Sequence, residues 1–489
     1  MPKPSSDNLF RLIKSLTKDE KRGFNLHVQK YAGNEGGLHL QLFGAVEKQK
    51  EHDEGSIKEI HSFKHFETLK SRLYTEVLDF LSYHHRGSKA QFHVQNLISQ
   101  ADILVSRSLY KQADELLRKA QKIAIKYSLD SFVVIILQKR YYYILHNTAK
   151  NKLRVTLNAS AAEINAAILN QLQIMQNRKT SSELYFHSQY PDLFSDRSSQ
   201  KALAATIRRM EGMSAGGSFF QQVHLYEPLC LYYYGKEIYQ KAFVYSKKIL
   251  NLCLANKQFI YENSSDFISY VHNHLEICVK LKRKADFLET YKLVVGQKFS
   301  DPRLDQQFAL EINSTLLEFY IVFEQLQDAV VKVNEIQKQI RVKPNRQLAP
   351  NQLELFFKCG FVFFLKGDYV NAKAWMNGIL KEKQLLTEPM YLIIRTLLLI
   401  CSFELKDFID FERNYPLTRR AIKNSSGFEV EINIIDVLNT ALHKQSDTKS
   451  VFIKALSKIE ALEKTTSKNS FIGSYYNLES WLRKKNIQK

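Results

Sequence analysis

The chain is poor in the residues that break helices. Of its 489 residues only 17 are glycine and nine are proline, half or less of the roughly 7% and 5% of ordinary usage. Collagen, low-complexity disorder and turn-rich all-β architectures need such breakers or shed hydrophobic residues. With 45% of the chain hydrophobic, all three are excluded, and a mainly helical soluble protein is expected. Cysteine is scarce as well. Cys230, Cys253, Cys278, Cys359 and Cys401 are odd in number, lie far apart and form no Cys-x-x-Cys pair, so zinc and redox motifs are missing. They read as small buried hydrophobes in a reducing compartment.

No apolar run approaches the roughly 20 residues needed to cross a bilayer. The two most apolar stretches are Phe132 to Leu137 and Tyr391 to Phe403, and Arg395 and Thr396 interrupt the second. Met1 to Phe10 holds two prolines and polar residues where a secretion signal needs an apolar centre. A cytoplasmic protein without membrane insertion is therefore expected. Phosphate cradles of the Gly-x-x-x-x-Gly-Lys or Gly-x-Gly-x-x-Gly kind do not occur. His61 and His65 have helical metal-ligand spacing without an interleaved glutamate, and His84, His85, His93, His272 and His274 are read as having no acidic or cysteine partner at a useful offset. Ser15-Leu16-Thr17-Lys18 matches only the short form of a serine-nucleophile motif, a chance occurrence in a lysine-rich chain. These absences lead to the expectation of no catalytic residues, no metal and no cofactor, hence no enzyme.

Charge is present in excess of one sign. Lysine and arginine outnumber aspartate and glutamate 70 to 50, a formal +20. Spread over the chain this is about +0.04 per residue, which solubility alone accounts for. No polybasic tract dominates, although the last 49 residues hold ten basic against four acidic side chains.

The length corresponds to about three ordinary domains. Residues 1–90 read as a compact helical unit. Thr17-Lys18-Asp19-Glu20 has capping-box spacing, so a helix is expected to begin near Thr17 and stop near Gly33. Leu38, Leu42, Phe43 and Val46 then recur at helical intervals up to a stop around Asp53 to Ser56. Phe66, Leu69, Leu73, Val77, Leu78 and Leu81 mark a further amphipathic helix ending near His84.

From residue 91 the pattern changes to long paired helices. Leu97, Ala101, Leu104, Tyr110, Ala113, Leu117 and Ala120 place small residues where one helix passes close to its neighbour. The sharpest copy is Phe356, Gly360, Phe363, Gly367, Tyr369, Ala372, Met376 and Ile379. This arrangement resembles the tetratricopeptide repeat. Weaker copies centre on Ala113, Ala242, Phe287, Ala329 and Phe411, which with Ala372 are spaced by 129, 45, 42, 43 and 39 residues. Because 129 is three times 43, two more units without anchors are expected between residues 120 and 240. The period also falls in the HEAT and armadillo range of about 40–47 residues, so an α-solenoid is a firmer reading than its subtype. The run from Leu9 through Thr17 to Phe24 is similar to an opening block of uncharacterised bacterial repeat proteins.

The expected fold is all-α, a right-handed α-solenoid of tetratricopeptide-like hairpins with a small helical N-terminal unit. Its divisions are 1–90, hairpins over 91–186, an irregular break or hinge at 187–217, solenoid over 218–424, and capping helices over 425–489. Arg341 to Pro350 reads as a second break, and Phe452, Leu456, Ile459 and Leu462 as a last amphipathic helix before Trp481 and a basic tail.

Such a fold implies a binding surface. Three consecutive tyrosines on a helix point in three directions, so at least one of Tyr141 to Tyr143 and one of Tyr232 to Tyr234 is expected to be partly exposed. Lys139, Arg140, Tyr142, Tyr143, Tyr233 and Tyr234 are the candidate partner-binding residues. The expected role is a scaffold or adaptor for a protein or peptide, with acidic segments favoured by the cationic excess. An alternative is a regulatory protein whose N-terminal unit touches DNA or RNA through the basic stripe Lys14, Lys18, Lys21 and Arg22.

Overall fold

The computed structural model describes residues 7–31, 36–60, 63, 65–85, 89–189, 197–213, 216–299, 301–339, 350–425, 427–443, 453, 457, 478 and 481–483. Among these the regular structure is helical, with no strand. The chain divides into two compact units, residues 1–175 and 176–489.

The first unit begins with α1 (Asn8–Ser15), α2 (Lys18–Tyr31), α3 (Gly36–Lys48), α4 (Glu54–Ile60) and α5 (Phe66–His85). The capping box forms as the spacing predicts. The Glu20 backbone N–H donates to Thr17 Oγ1 at 3.2 Å and the Thr17 N–H to the Glu20 carboxylate at 2.7 Å, so α2 starts at Lys18. Ile13, Phe24, Leu42, Phe43, Leu73 and Val77 close a core among these helices. A separate buried cluster containing Val94, Ala101, Ala113, Leu117 and Ile136 joins α6 (Ala90–Val105), α7 (Tyr110–Lys126) and α8 (Asp130–Asn147).

Between residues 120 and 240 the chain does not form two extra hairpins. It forms α8, then α9 (Leu153–Gln189), a single helix of 37 residues with portions in both units, then α10 (Arg197–Glu211). The segment 153–189 contains neither glycine nor proline, so nothing stops the helix. α10 likewise occupies much of the stretch read as an irregular break.

The second unit continues with α11 (Phe219–Gly235), α12 (Tyr239–Ala255), the short α13 (Lys257–Glu262), α14 (Ser264–Lys280) and α15 (Lys284–Val294). Beyond these come α16 (Pro302–Val322), α17 (Leu326–Gln339), α18 (Pro350–Lys366), α19 (Tyr369–Leu380), α20 (Glu388–Glu404), α21 (Phe408–Lys423) and α22 (Glu429–His443). They pack neighbour to neighbour: α11 on α12, α14 on α15, α16 on α17, α18 on α19, α20 on α21, each pair against the next.

One turn recurs at every one of these hairpins and at α6–α7. Ser108, Glu237, Lys282, Glu324, Gly367 and Lys406 all have left-handed φ, between 54° and 85°. Each lies five residues before one of the six positions that set the sequence period. The residue after it donates a backbone N–H five residues back, as in Asp368 to Phe363 O at 2.9 Å and Gln325 to Tyr320 O at 2.7 Å. This is the glycine-favouring helix C-cap of the Schellman type, which satisfies carbonyls the helix end leaves unpaired. Only one copy carries glycine. The others hold an L-residue where left-handed backbone costs about 1 kcal/mol.

Ala113, Ala242, Phe287, Ala329, Ala372 and Phe411 are each the fourth residue of a second helix and all are fully buried. In the sharpest copy a Cβ added at Gly360 would stand 3.0 Å from Trp375 Cβ and 2.9 Å from Met376 Cε, so α18 and α19 approach closely there. The stretches read as a second break (341–350) and as the last amphipathic helix lie largely outside the described residues. Trp481 is described: it is buried with Leu478 and Leu482, and its indole N–H donates to Glu404 at 2.8 Å.

Candidate functional site

The first helices of four successive hairpins in the second unit, α11, α14, α16 and α18, are tied to one another by polar side chains. The Tyr234 hydroxyl of α11 donates to the Glu276 carboxylate of α14. His272, one turn before Glu276, sets Nε2 3.8 Å from that carboxylate. Its Nδ1 lies 3.0 Å from Thr315 Oγ1 and 3.6 Å from the Glu311 carboxylate, both on α16. Because the Thr315 hydroxyl donates to the Glu311 carbonyl at 2.9 Å, the histidine Nδ1 carries the proton.

Lys358 of α18 closes the seam. It stands between Phe357 and Cys359 and is 1% exposed, yet its ammonium donates to Ser314 Oγ at 2.9 Å, Glu318 at 3.1 Å and Glu354 at 2.8 Å. An ammonium has three donors and needs three acceptors when water is removed, which explains how a lysine survives there. The Lys358 charge holds the Glu354 carboxyl below the usual range. Burial pushes the Glu318 carboxyl up, against the pull of Lys358. Glu318 Oε1 is buried without a hydrogen-bond partner among the described residues, at a cost of about 1–3 kcal/mol.

At the Tyr234 end the seam borders a cavity of about 320 Å³ enclosed by the C-terminal end of α9 with α10, α11 and α14. Leu184, Leu203, Leu231 and Ile277 give it an apolar wall, while Tyr234 supplies a hydroxyl and Glu276 an acceptor carboxylate at one side. The volume suits a single side chain or a small ligand. Burial and the neighbouring Glu276 charge hold the Tyr234 phenol well above its ordinary pKa, so its proton stays on.

The sequence-derived candidates fall in several places. Tyr142 is 72% exposed, whereas Tyr143 is buried against Tyr110. Lys139 pairs with Asp102 at 2.6 Å, and Arg140 with Asp114 at 2.9 Å and with Gln121. Tyr233 is buried and donates to Glu211 at 2.5 Å, with Lys241 at 3.0 Å from its hydroxyl. Tyr234 belongs to the seam. Of the basic stripe, Lys14 donates to the Glu47 carbonyl at 2.6 Å and Lys21 pairs with the Glu47 carboxylate at 3.2 Å. Lys18 and Arg22 are exposed, with no ion pair among the described residues. The six partner-binding candidates thus divide between the units, four in the first and two in the second, with Tyr143 and Tyr233 buried within their own units.

His272 and His274 do have partners four residues on, Glu276 and Cys278, which the sequence reading passed over. His274 is buried, with Nδ1 2.8 Å from Ser246 Oγ and Nε2 3.7 Å from Cys278 Sγ. Burial lowers its pKa to about 4 and raises that of Cys278 to about 12. A thiol so placed is a packing group and not a nucleophile. The seam residues Lys358 and Glu318 also had a readable signal: each is a lone charge inside an apolar helical run, Leu355 to Phe364 and Leu316 to Phe323.

No family model matches the chain, and no curated protein matches it.

Proposed function

We propose that helices α11 to α22 form a right-handed α-solenoid of tetratricopeptide-like hairpins that works in the cytoplasm as a non-enzymatic scaffold or adaptor, holding a segment of a partner protein along its first helices. One observation carries this reading: the seam from Tyr234 through Glu276, His272, Glu311 and Glu318 to Glu354 spans four successive first helices and ends at a cavity of side-chain size. Stacked repeats present such rows as extended binding surfaces.

The chain-wide charge points to an acidic partner, but the seam runs the other way. It carries four glutamates against one lysine and one histidine, so along it the segment is bound through donors: lysine or arginine side chains and backbone N–H groups. A photo-crosslinking residue at Glu354 captures the partner in cells, while the same residue at Val370, 64% exposed on α19, does not. Equal capture from both positions, or capture from Val370 alone, overturns the reading.

A second reading, contact of the N-terminal unit with DNA or RNA, draws on Lys18 and Arg22. Two free cations reach about two phosphates, so retention on DNA falls by roughly the second power of salt. Retention on DNA that falls with this slope between 50 and 200 mM salt favours that reading, and no retention at 50 mM salt rejects it.

A further inference from the structure

A second, smaller cavity of about 240 Å³ lies between α19, α20 and α21. Its lining differs in kind from that of the seam, and it stands independently of the scaffold reading. Lys373 and Asn377 come from α19, Arg395 from α20, and Asp410, Arg413 and Asn414 from α21.

Asp410 organises this cavity. Its carboxylate accepts from Ser402 at 2.8 Å, from Lys373 at 3.0 Å, from Asn414 at 2.9 Å and from Arg413. Its acceptor capacity is therefore taken up, and in return it fixes the Lys373 ammonium and the Arg413 guanidinium at the cavity wall. Lys373 is shared with Asp407, which does not line the cavity, at 2.9 Å.

Arg395 is different. It is half-buried inside the apolar run Leu392 to Leu399. Its Nε donates to the buried Thr418 hydroxyl at 3.2 Å, and no carboxylate within ion-pair distance of it is found among the described residues. A guanidinium offers five N–H donors in a rigid fork, and this one spends a single donor on a neutral hydroxyl. A half-buried guanidinium with unspent donors at a cavity wall is placed to receive an anion. Among the lining side chains three cations face one carboxylate, and with Asp407 counted behind Lys373 one positive charge remains in surplus. A phosphate monoester carries about −1.5 to −2 at pH 7 and three acceptor oxygens.

We propose that this cavity binds a dianionic phosphate group, with the free edge of Arg395 as its bidentate donor, Lys373 and Arg413 as flanking charges, and the Asn377 amide at its rim. The threonine at position 418 aims the Arg395 fork. The same chemistry is supplied by free inorganic phosphate or by a phosphorylated side chain.

Calorimetric titration of the full chain at constant ionic strength tests the site with inorganic phosphate, phosphoserine and acetate. Phosphate or phosphoserine binds saturably, and acetate at least tenfold more weakly. The tighter of the two phosphate probes identifies the source. Arg395→Gln weakens phosphate binding at least tenfold. Asn377 is exposed on α19, so Asn377→Asp adds a negative charge at the rim without disturbing the core; it abolishes binding while the helical circular dichroism and melting temperature stay within those of the unaltered chain. That variant decides the matter if Arg395→Gln does not fold. Absence of saturable phosphate binding, acetate binding as tight as phosphate, or unchanged affinity in the folded Asn377→Asp protein overturns the proposal.

Discussion

The Lys358 ammonium and the Glu318 carboxylate meet at 3.1 Å with both side chains buried, one on α18 and the other on α16. They join two consecutive hairpins through charge between helices whose neighbouring Phe357, Phe361, Leu316 and Leu317 are all buried. Taking two ions out of water is expensive, and the pair holds because Ser314 and Glu354 complete the lysine.

Removing one partner leaves the other buried and uncompensated. Lys358→Met therefore lowers unfolding stability by about 3–5 kcal/mol. Adding Glu318→Leu to it recovers at least half of the loss, because the orphaned carboxylate goes too. Chemical denaturation of the two variants and of Glu318→Leu alone gives the coupling. A double variant no more stable than Lys358→Met would show that packing, not charge, dominates there.

The recurring left-handed turn gives paired predictions of opposite sign. Glu324 is exposed with φ 57°, so Glu324→Gly relieves backbone strain and stabilises by about 0.5–1 kcal/mol. Gly367 has φ 85° and open space where a Cβ would stand. Gly367→Ala thus loses about 1 kcal/mol through backbone conformation alone. Thermal denaturation of both variants checks the pair.

Acid weakens the second unit through His274. Its pKa is held near 4 when folded, from an ordinary 6.5, chiefly by burial and then by Lys247. The unfolded chain therefore takes up a proton that the folded chain refuses. The stabilisation is complete above pH 6.5 and declines as the pH falls toward 4, by up to roughly 1.4 kcal/mol per pH unit. His274→Gln flattens the stability profile over that window, measured by urea denaturation at stepped pH.

All five thiols are buried, and burial lifts those of Cys230, Cys253, Cys278 and Cys401 to about 12, with Cys359 raised further in the same direction. The native protein resists alkylation by iodoacetamide at pH 8, and denaturant exposes all five. Mass spectrometry counts the adducts. A rapidly labelled thiol in the native state contradicts the packing described for it.

The hairpin period was legible because one position in each repeat is tightly constrained. The fourth residue of each second helix sits fully buried, so alanine or phenylalanine recurs there at nearly fixed spacing. Counting residues across the gap from Ala113 to Ala242 failed because a period says nothing about turns. The helix of 37 residues from Leu153 was announced instead by its lack of glycine and proline. Lys358, Glu318 and Arg395 were visible as single charges in apolar runs, and Arg395 had been read only as an interruption of one. The tyrosine triplets correctly implied an exposed ring at Tyr142, but they could not tell which neighbour Tyr233 and Tyr234 would face.

What the sequence determined by itself is local: helix as the regular element of the described residues, the capping box at Thr17, the hairpin spacing, and apolar faces too wide to remain in water. Each follows from neighbours within a few residues along the chain. What the tertiary structure decided is which charges cancel and which remain. Lys139 meets Asp102 across 37 residues, Arg140 meets Asp114 across 26 and Lys358 meets Glu318 across 40. Such pairings depend on how each hairpin is rotated against the next, and that rotation is set by the fit of whole helix surfaces, which no one-dimensional pattern records.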